Sequence, residues 1–83
     1  MKFSIHTIEK TLFEGEVKSL TLPTEMGEIT ILENHLPLVS LTKPGPIKIK
    51  ILDKAEKEHT IDFGSFGFLE VRPENEGITL LAG

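Results

Sequence analysis

The chain has no cysteine, no tryptophan and no tyrosine among its 83 residues. Without cysteine there is no disulfide, and no thiolate to act as nucleophile or metal ligand. That suits a reducing compartment. Without tryptophan or tyrosine there is no ready aromatic platform on which sugars or single-stranded nucleic acid could stack. Basic charge is also scarce: nine Lys and Arg face thirteen Asp and Glu, for a net charge of −4. Lys48, Lys50, Lys54 and Lys57 form no clean patch, so the basic face that a phosphate backbone needs is missing and no nucleic acid partner is expected. No apolar run reaches the roughly 18–20 residues of a membrane-spanning helix. Met1-Lys2-Phe3-Ser4 is not followed by a signal-peptide apolar core. The expected setting is the cytosol, or the cytosolic side of a membrane to which a partner holds the chain.

Helical periodicity is missing too. The one candidate, Lys54-Ala55-Glu56-Lys57-Glu58, is short and has no apolar face, and it reads as a turn tip. What is present is period-two alternation, broken by turn residues about every ten positions. Phe3 and Ile5 alternate with Lys2, Ser4 and His6. Val17 to Leu22 reads as a second strand that Pro23 ends. Glu25-Met26-Gly27 is a turn, and Glu28 to Leu32 alternates again. Leu38-Val39-Ser40-Leu41 is a short strand, followed by the turn Lys43-Pro44-Gly45-Pro46. Ile47, Ile49 and Ile51 share one face of the next strand, with Lys48 and Lys50 on the other. Thr60 to Phe63 returns from the polar tip, and Phe68 to Val71 and Ile78 to Leu81 flank a turn containing Pro73 and Gly77. The pattern predicts one domain over residues 1–83: an all-β, antiparallel β-sandwich of roughly eight to ten short strands. A domain of this size buries only about 60–65% of its unfolded surface.

Reactive constellations are hard to find. His6, His35 and His59 lack metal-ligand spacing and read as surface or turn residues. Glu14, Glu16, Glu25, Glu28 and Glu33 cluster in sequence, but nothing marks a pocket that would shift a carboxyl pKa, so they read as a solvated acidic face. Gly64-Ser65-Phe66-Gly67 lacks the helix and further glycine of a phosphate loop; a bulge or a tight strand crossing is the better reading. The five phenylalanines are expected in the core. Glu33-Asn34-His35-Leu36-Pro37-Leu38-Val39 sets apolar residues beside a stiff proline and leaves two readings open. It folds back over an open sandwich edge, or it is an exposed apolar patch that docks on a partner. Catalytic, cofactor-binding and metal residues are expected to be none.

Taken in order, these segments resemble one family: the N-terminal domain of the epsilon subunit of the F-type ATP synthase, called delta in mitochondria. Leu12-Phe13-Glu14-Gly15-Glu16-Val17 is similar to the family's opening hairpin. Leu22-Pro23, Gly27-Glu28 and Ile31-Leu32 follow in place. His35, Pro37 and Leu38 match its signature loop. Lys43-Pro44-Gly45, Gly67-Phe68-Leu69-Glu70-Val71 and Leu80-Leu81-Ala82 complete the register. The chain departs at Thr30, where the family usually has glycine, at Glu33, where it has proline, and at Phe66-Gly67, where it commonly has two glycines.

The resemblance implies a non-catalytic central-stalk subunit, without cofactor, that couples the c ring to the gamma subunit during proton-driven ATP synthesis. The expected place is the cytoplasmic face of a bacterial plasma membrane, with membrane contact only through the complex. Glu25, Gly27 and Glu28 are the expected c-ring contacts. His35, Leu36, Pro37, Leu38 and Leu41 are the expected grip on gamma, and Leu38→Asp is expected to weaken that grip while the domain stays folded. Family members often continue into two helices that bind nucleotide and inhibit hydrolysis. The 83-residue chain, read as a short member or as a piece cut at the domain boundary, is expected to do neither. The alternative reading is a small ligand-binding module for a peptide or carbohydrate, and a small enzyme is a third.

Overall fold

The computed structural model describes residues 1–33, 36–64, 66–73 and 77–82. It contains eight strands: β1 (Lys2–His6), β2 (Thr11–Thr24), β3 (Gly27–Leu32), β4 (Leu38–Leu41), β5 (Ile47–Asp53), β6 (Glu58–Phe63), β7 (Gly67–Val71) and β8 (Ile78–Ala82). No α-helix occurs among the described residues.

The strands form two layers that share β2. In the first, β4, β7, β8, β1 and the start of β2 lie side by side. In the second, the end of β2 lies between β3 and β5, and β6 forms the outer edge beyond β5. The change of layer occurs where the register slips between Val17 and Ser19. A slip of this kind bends and twists a strand, which lets one strand turn the corner of a sandwich.

Alternation explains the core. Phe3, Ile5, Leu69 and Leu80 point inward from the first layer; Leu20, Leu22, Ile31, Ile49, Ile51 and Phe63 meet them from the second. Each side chain removed from water in this way contributes about 1.5–3 kcal/mol. The three isoleucines of β5 are buried as the period-two pattern predicts.

Four features depart from the sequence reading. First, β2 is a single 14-residue strand; Glu14 and Gly15 lie inside it, opposite Ser4 and Phe3. The β1–β2 turn lies earlier, where the Thr7 hydroxyl oxygen accepts from the Lys10 amide at 3.1 Å and the Glu9 amide at 3.3 Å. Second, Pro23 does not end the strand. It pairs with Glu28 of β3, while the β5 ladder stops at Thr21, so the missing N–H costs no bond to β5; beyond that point the Pro23 carbonyl accepts from the Lys43 amide instead. Third, the sandwich is not wholly antiparallel: β1 and β8 run parallel, Phe3 opposite Ile78 and Ile5 opposite Leu80. The first and last strands have no hairpin between them to force an antiparallel pair. Fourth, only Phe3 and Phe63 are fully buried; Phe13 packs partly buried against the core, and Phe66 and Phe68 are exposed.

The expected tight crossing is present at Gly67. A Cβ there would lie 2.8 Å from Phe63 Cε2 and 3.2 Å from the Leu81 carbonyl oxygen. Only a residue without a side chain lets β7 pass this close to the opposite layer. Ser65 of the same segment lies outside the described residues.

Candidate partner-binding surfaces

The β2–β3 hairpin ends in an exposed acidic tip. Glu25 and Met26 form the turn, Thr24 pairs with Gly27, and Gly27 adopts φ 117°, where a side chain would be strained. The Thr24 hydroxyl donates to the Gly27 carbonyl at 2.8 Å and accepts from the Met26 amide at 3.2 Å. The turn therefore holds one shape while Glu25, Met26 and Glu28 face solvent. The three residues expected to contact a c ring, Glu25, Gly27 and Glu28, are brought together here. Met26, 86% exposed, joins them without having been singled out in the sequence.

The second surface is the outer face of the first layer. Leu41 of β4 lies opposite Phe68 of β7, and Phe68 lies opposite Leu81 of β8. Leu69 and Leu80 point into the core, so their neighbours Phe68 and Leu81 point out, 41% and 45% exposed. The result is a cross-strand apolar row at the free edge of the sheet. Val39 extends it along β4, and Phe66, just before β7, is also exposed. His6 lies opposite Leu81 on the far side, with its Nδ1 against the Thr11 hydroxyl at 3.0 Å.

The residues expected to grip gamma divide. Leu41 belongs to the apolar row, and Leu36 and Pro37 are exposed at its margin. His35 lies outside the described residues. Leu38 turns the other way and packs against the core, opposite Val71. A charge at Leu38 would therefore disturb the fold along with any surface, and Leu41 and Phe68 are the better probes. Val39, Phe68 and Leu81 were missed as surface residues. The signal was present: Leu38-Val39, Phe68-Leu69 and Leu80-Leu81 each place two apolar residues in succession, and in a strand these face opposite sides.

The remaining polar groups stabilise turns. The Asp53 carboxylate accepts from the amides of Ala55 and Lys57, both at 2.9 Å, and lies 2.7 Å from His59 Nε2. The hydrogen bond from His59 and then the amide of Lys57 hold its pKa below the usual range. Glu33 lies 2.8 Å from Lys54 Nζ and 3.0 Å from the Met1 amino group, and these cations, Lys54 foremost, lower its pKa to about 2. Among the described residues, no three of His, Cys, Asp and Glu gather as a metal site would require. One groove, about 350 Å³, is open and lined by Ser19, Thr21, Lys50, His59 and Thr60 among others. No Phe, Tyr or Trp lines it as the walls of a carbohydrate reader would, which leaves the small-ligand alternative unsupported.

A family model described as the ATP synthase delta/epsilon chain β-sandwich domain matches residues 1–83. This chain belongs to that family. The epsilon chain of the Herminiimonas arsenicoxydans ATP synthase is 40% identical over 82 residues, 99% of this chain and 56% of that one. The epsilon chain from Nitratiruptor sp. is 37% identical over 83 residues, 100% of this chain and 61% of that one. The chain thus spans somewhat more than half the length of these relatives. Among solved structures, the mitochondrial ATP synthase of Euglena gracilis, comprising OSCP, F1 and c ring, contains a chain that superposes with TM-score 0.80 at 20% identity. The match covers 96% of this chain and 48% of that one. A chain of the Tetrahymena thermophila central stalk and c ring superposes with TM-score 0.70, also at 20% identity, over 98% of this chain and 61% of that one. At such identity these matches establish the shared fold.

Proposed function

We propose that this domain is a non-catalytic part of the central stalk of an F-type ATP synthase, coupling the c ring to the gamma subunit. The observation that carries the reading is the pairing of two distinct surfaces on a sandwich of this family. One is the apolar row Leu41, Phe68 and Leu81; the other is the acidic tip Glu25 to Glu28. The apolar row suits a lasting grip on gamma, because desolvated apolar and aromatic anchors dominate interface energy. The acidic tip suits polar loops of the c ring, where charge sets register more than affinity. A packed sandwich is stiff enough to transmit torque between them. The domain is then peripheral, held at the cytoplasmic face of a bacterial plasma membrane through the assembly.

The test is binding of purified gamma subunit to Leu41→Asp and Phe68→Asp variants. Each should weaken binding by at least about tenfold, the loss of one anchor. Melting temperature should move little, because both side chains are on the outer face. Unchanged affinity in both variants would remove the apolar row from the interface, and absence of any complex with the unmodified chain would sink the stalk reading.

A further inference from the structure

Among the described residues, the buried polar side chains are those of Thr24 and Thr42, 3% and 0% exposed. They face each other in an isolated antiparallel bridge that joins the end of β2 to the segment after β4. Two backbone hydrogen bonds flank the pair: the Glu25 amide donates to the Leu41 carbonyl and the Lys43 amide to the Pro23 carbonyl, both at 3.1 Å. This bridge joins the two layers a second time, between the far end of β2 and the segment that follows the edge strand β4.

Each threonine also reaches away from the bridge. The Thr42 hydroxyl oxygen accepts from the Gly67 amide at 2.9 Å, and the Thr42 amide donates to the Gly67 carbonyl at 2.9 Å. Thr24 holds the Met26 amide and the Gly27 carbonyl of the acidic tip. A continuous path therefore runs from Gly67, beside Phe68 of the apolar row, through Thr42 and Thr24 to the tip. Leu41 lies on both sides of the connection: its side chain belongs to the apolar row and its carbonyl holds Glu25 of the tip.

We infer that Thr24 and Thr42 are positioning residues that lock the acidic tip to the apolar row, so that the two surfaces move as one body. A bridge with one pair would be weak if exposed to water. Here both threonines are buried, and so is the bond from the Gly67 amide to the Thr42 hydroxyl, which makes that bond costly to break and stiffens the connection. The functional meaning rests on the two-surface reading above: force applied at the tip reaches the apolar row through this brace, without the detour back along β2 and across β1 and β8.

The test is residue-resolved amide hydrogen exchange on the 83-residue chain. Thr42→Val removes the hydroxyl and keeps the shape. It should speed exchange at Gly67, Glu25 and Met26 by about tenfold, as for one lost buried hydrogen bond, while the amides of β5 and β6 stay within about twofold. Thr42→Ser restores the hydroxyl and should restore the slow exchange. Should Thr42→Val not fold, Thr24→Ala tests the path in reverse: faster exchange at Gly67, across the bridge, supports the brace. A uniform acceleration in all strands, or a change confined to the substituted residue's own partners, overturns it. Added gamma subunit should slow exchange at Glu25 and Met26 in the unmodified chain and not in Thr42→Val. If gamma does not bind at all, the stalk reading fails while the coupling in the free chain is judged separately.

Discussion

Gly67→Ala adds one methyl group at the point where β7 passes closest to the opposite layer. The new Cβ would lie 2.8 Å from Phe63 Cε2, 3.1 Å from Leu80 Cδ1 and 3.2 Å from the Leu81 carbonyl oxygen. Carbon atoms pack comfortably at about 3.5–4.0 Å, so the Phe63 ring must retreat by roughly 0.7 Å or the strand must move outward. Phe63 is 1% exposed and Leu80 is fully buried, so neither has open space to enter. Overpacking of this kind costs about 1–3 kcal/mol. For a domain of this size each kcal/mol lowers the melting temperature by about 4–8 °C, so a 2 kcal/mol loss corresponds to a fall of roughly 8–16 °C. Thermal unfolding followed by circular dichroism reads it directly. Gly64→Ala is the control: nothing lies within 4 Å of its added Cβ, and its effect should stay within about 0.5 kcal/mol. Phe63→Leu in the Gly67→Ala background should recover part of the loss, which a double-mutant cycle measures. A melting temperature within about 2 °C of the unmodified chain would refute the close crossing.

Ile49→Ala, at a fully buried position in β5, should cost about 3 kcal/mol in urea unfolding; a loss below about 1 kcal/mol would contradict its place in the core. Acid should destabilise the domain through carboxylates held below their ordinary pKa: Glu33, at about 2 by virtue of Lys54 and the Met1 amino group, with Asp53 and Glu56 shifted the same way. Because the unfolded chain binds protons more readily at these groups, their contribution is complete above about pH 4.5 and lost as pH falls toward 2. Glu33→Gln should flatten that part of the stability-versus-pH curve, and added salt should shrink it, since Glu33 and Glu56 are exposed. An unchanged curve in Glu33→Gln would assign the acid sensitivity elsewhere.

Local patterns in the chain determined most of the strands and their inward faces. Alternation is a property of neighbouring residues, so Ile47, Ile49 and Ile51 announced the core face of β5 before any partner was known. The hairpin tip at Glu25 and Gly27 was legible for the same reason, since its geometry is set within four residues. Where such patterns failed, distant contacts decided. Pro23 could remain in β2 because β5 had already stopped pairing, a fact about a strand some thirty positions away. Leu41, Phe68 and Leu81 are far apart in sequence and form one row only because β4, β7 and β8 lie side by side. The Thr24–Thr42 bridge has no sequence signature at all, because a threonine in a strand is ordinary until the opposite edge closes on it. An all-β domain and its family are legible in the order of the residues alone. The surfaces that domain presents, and the contacts between them, come from the folded arrangement, because they depend on pairings between residues that the chain does not place together.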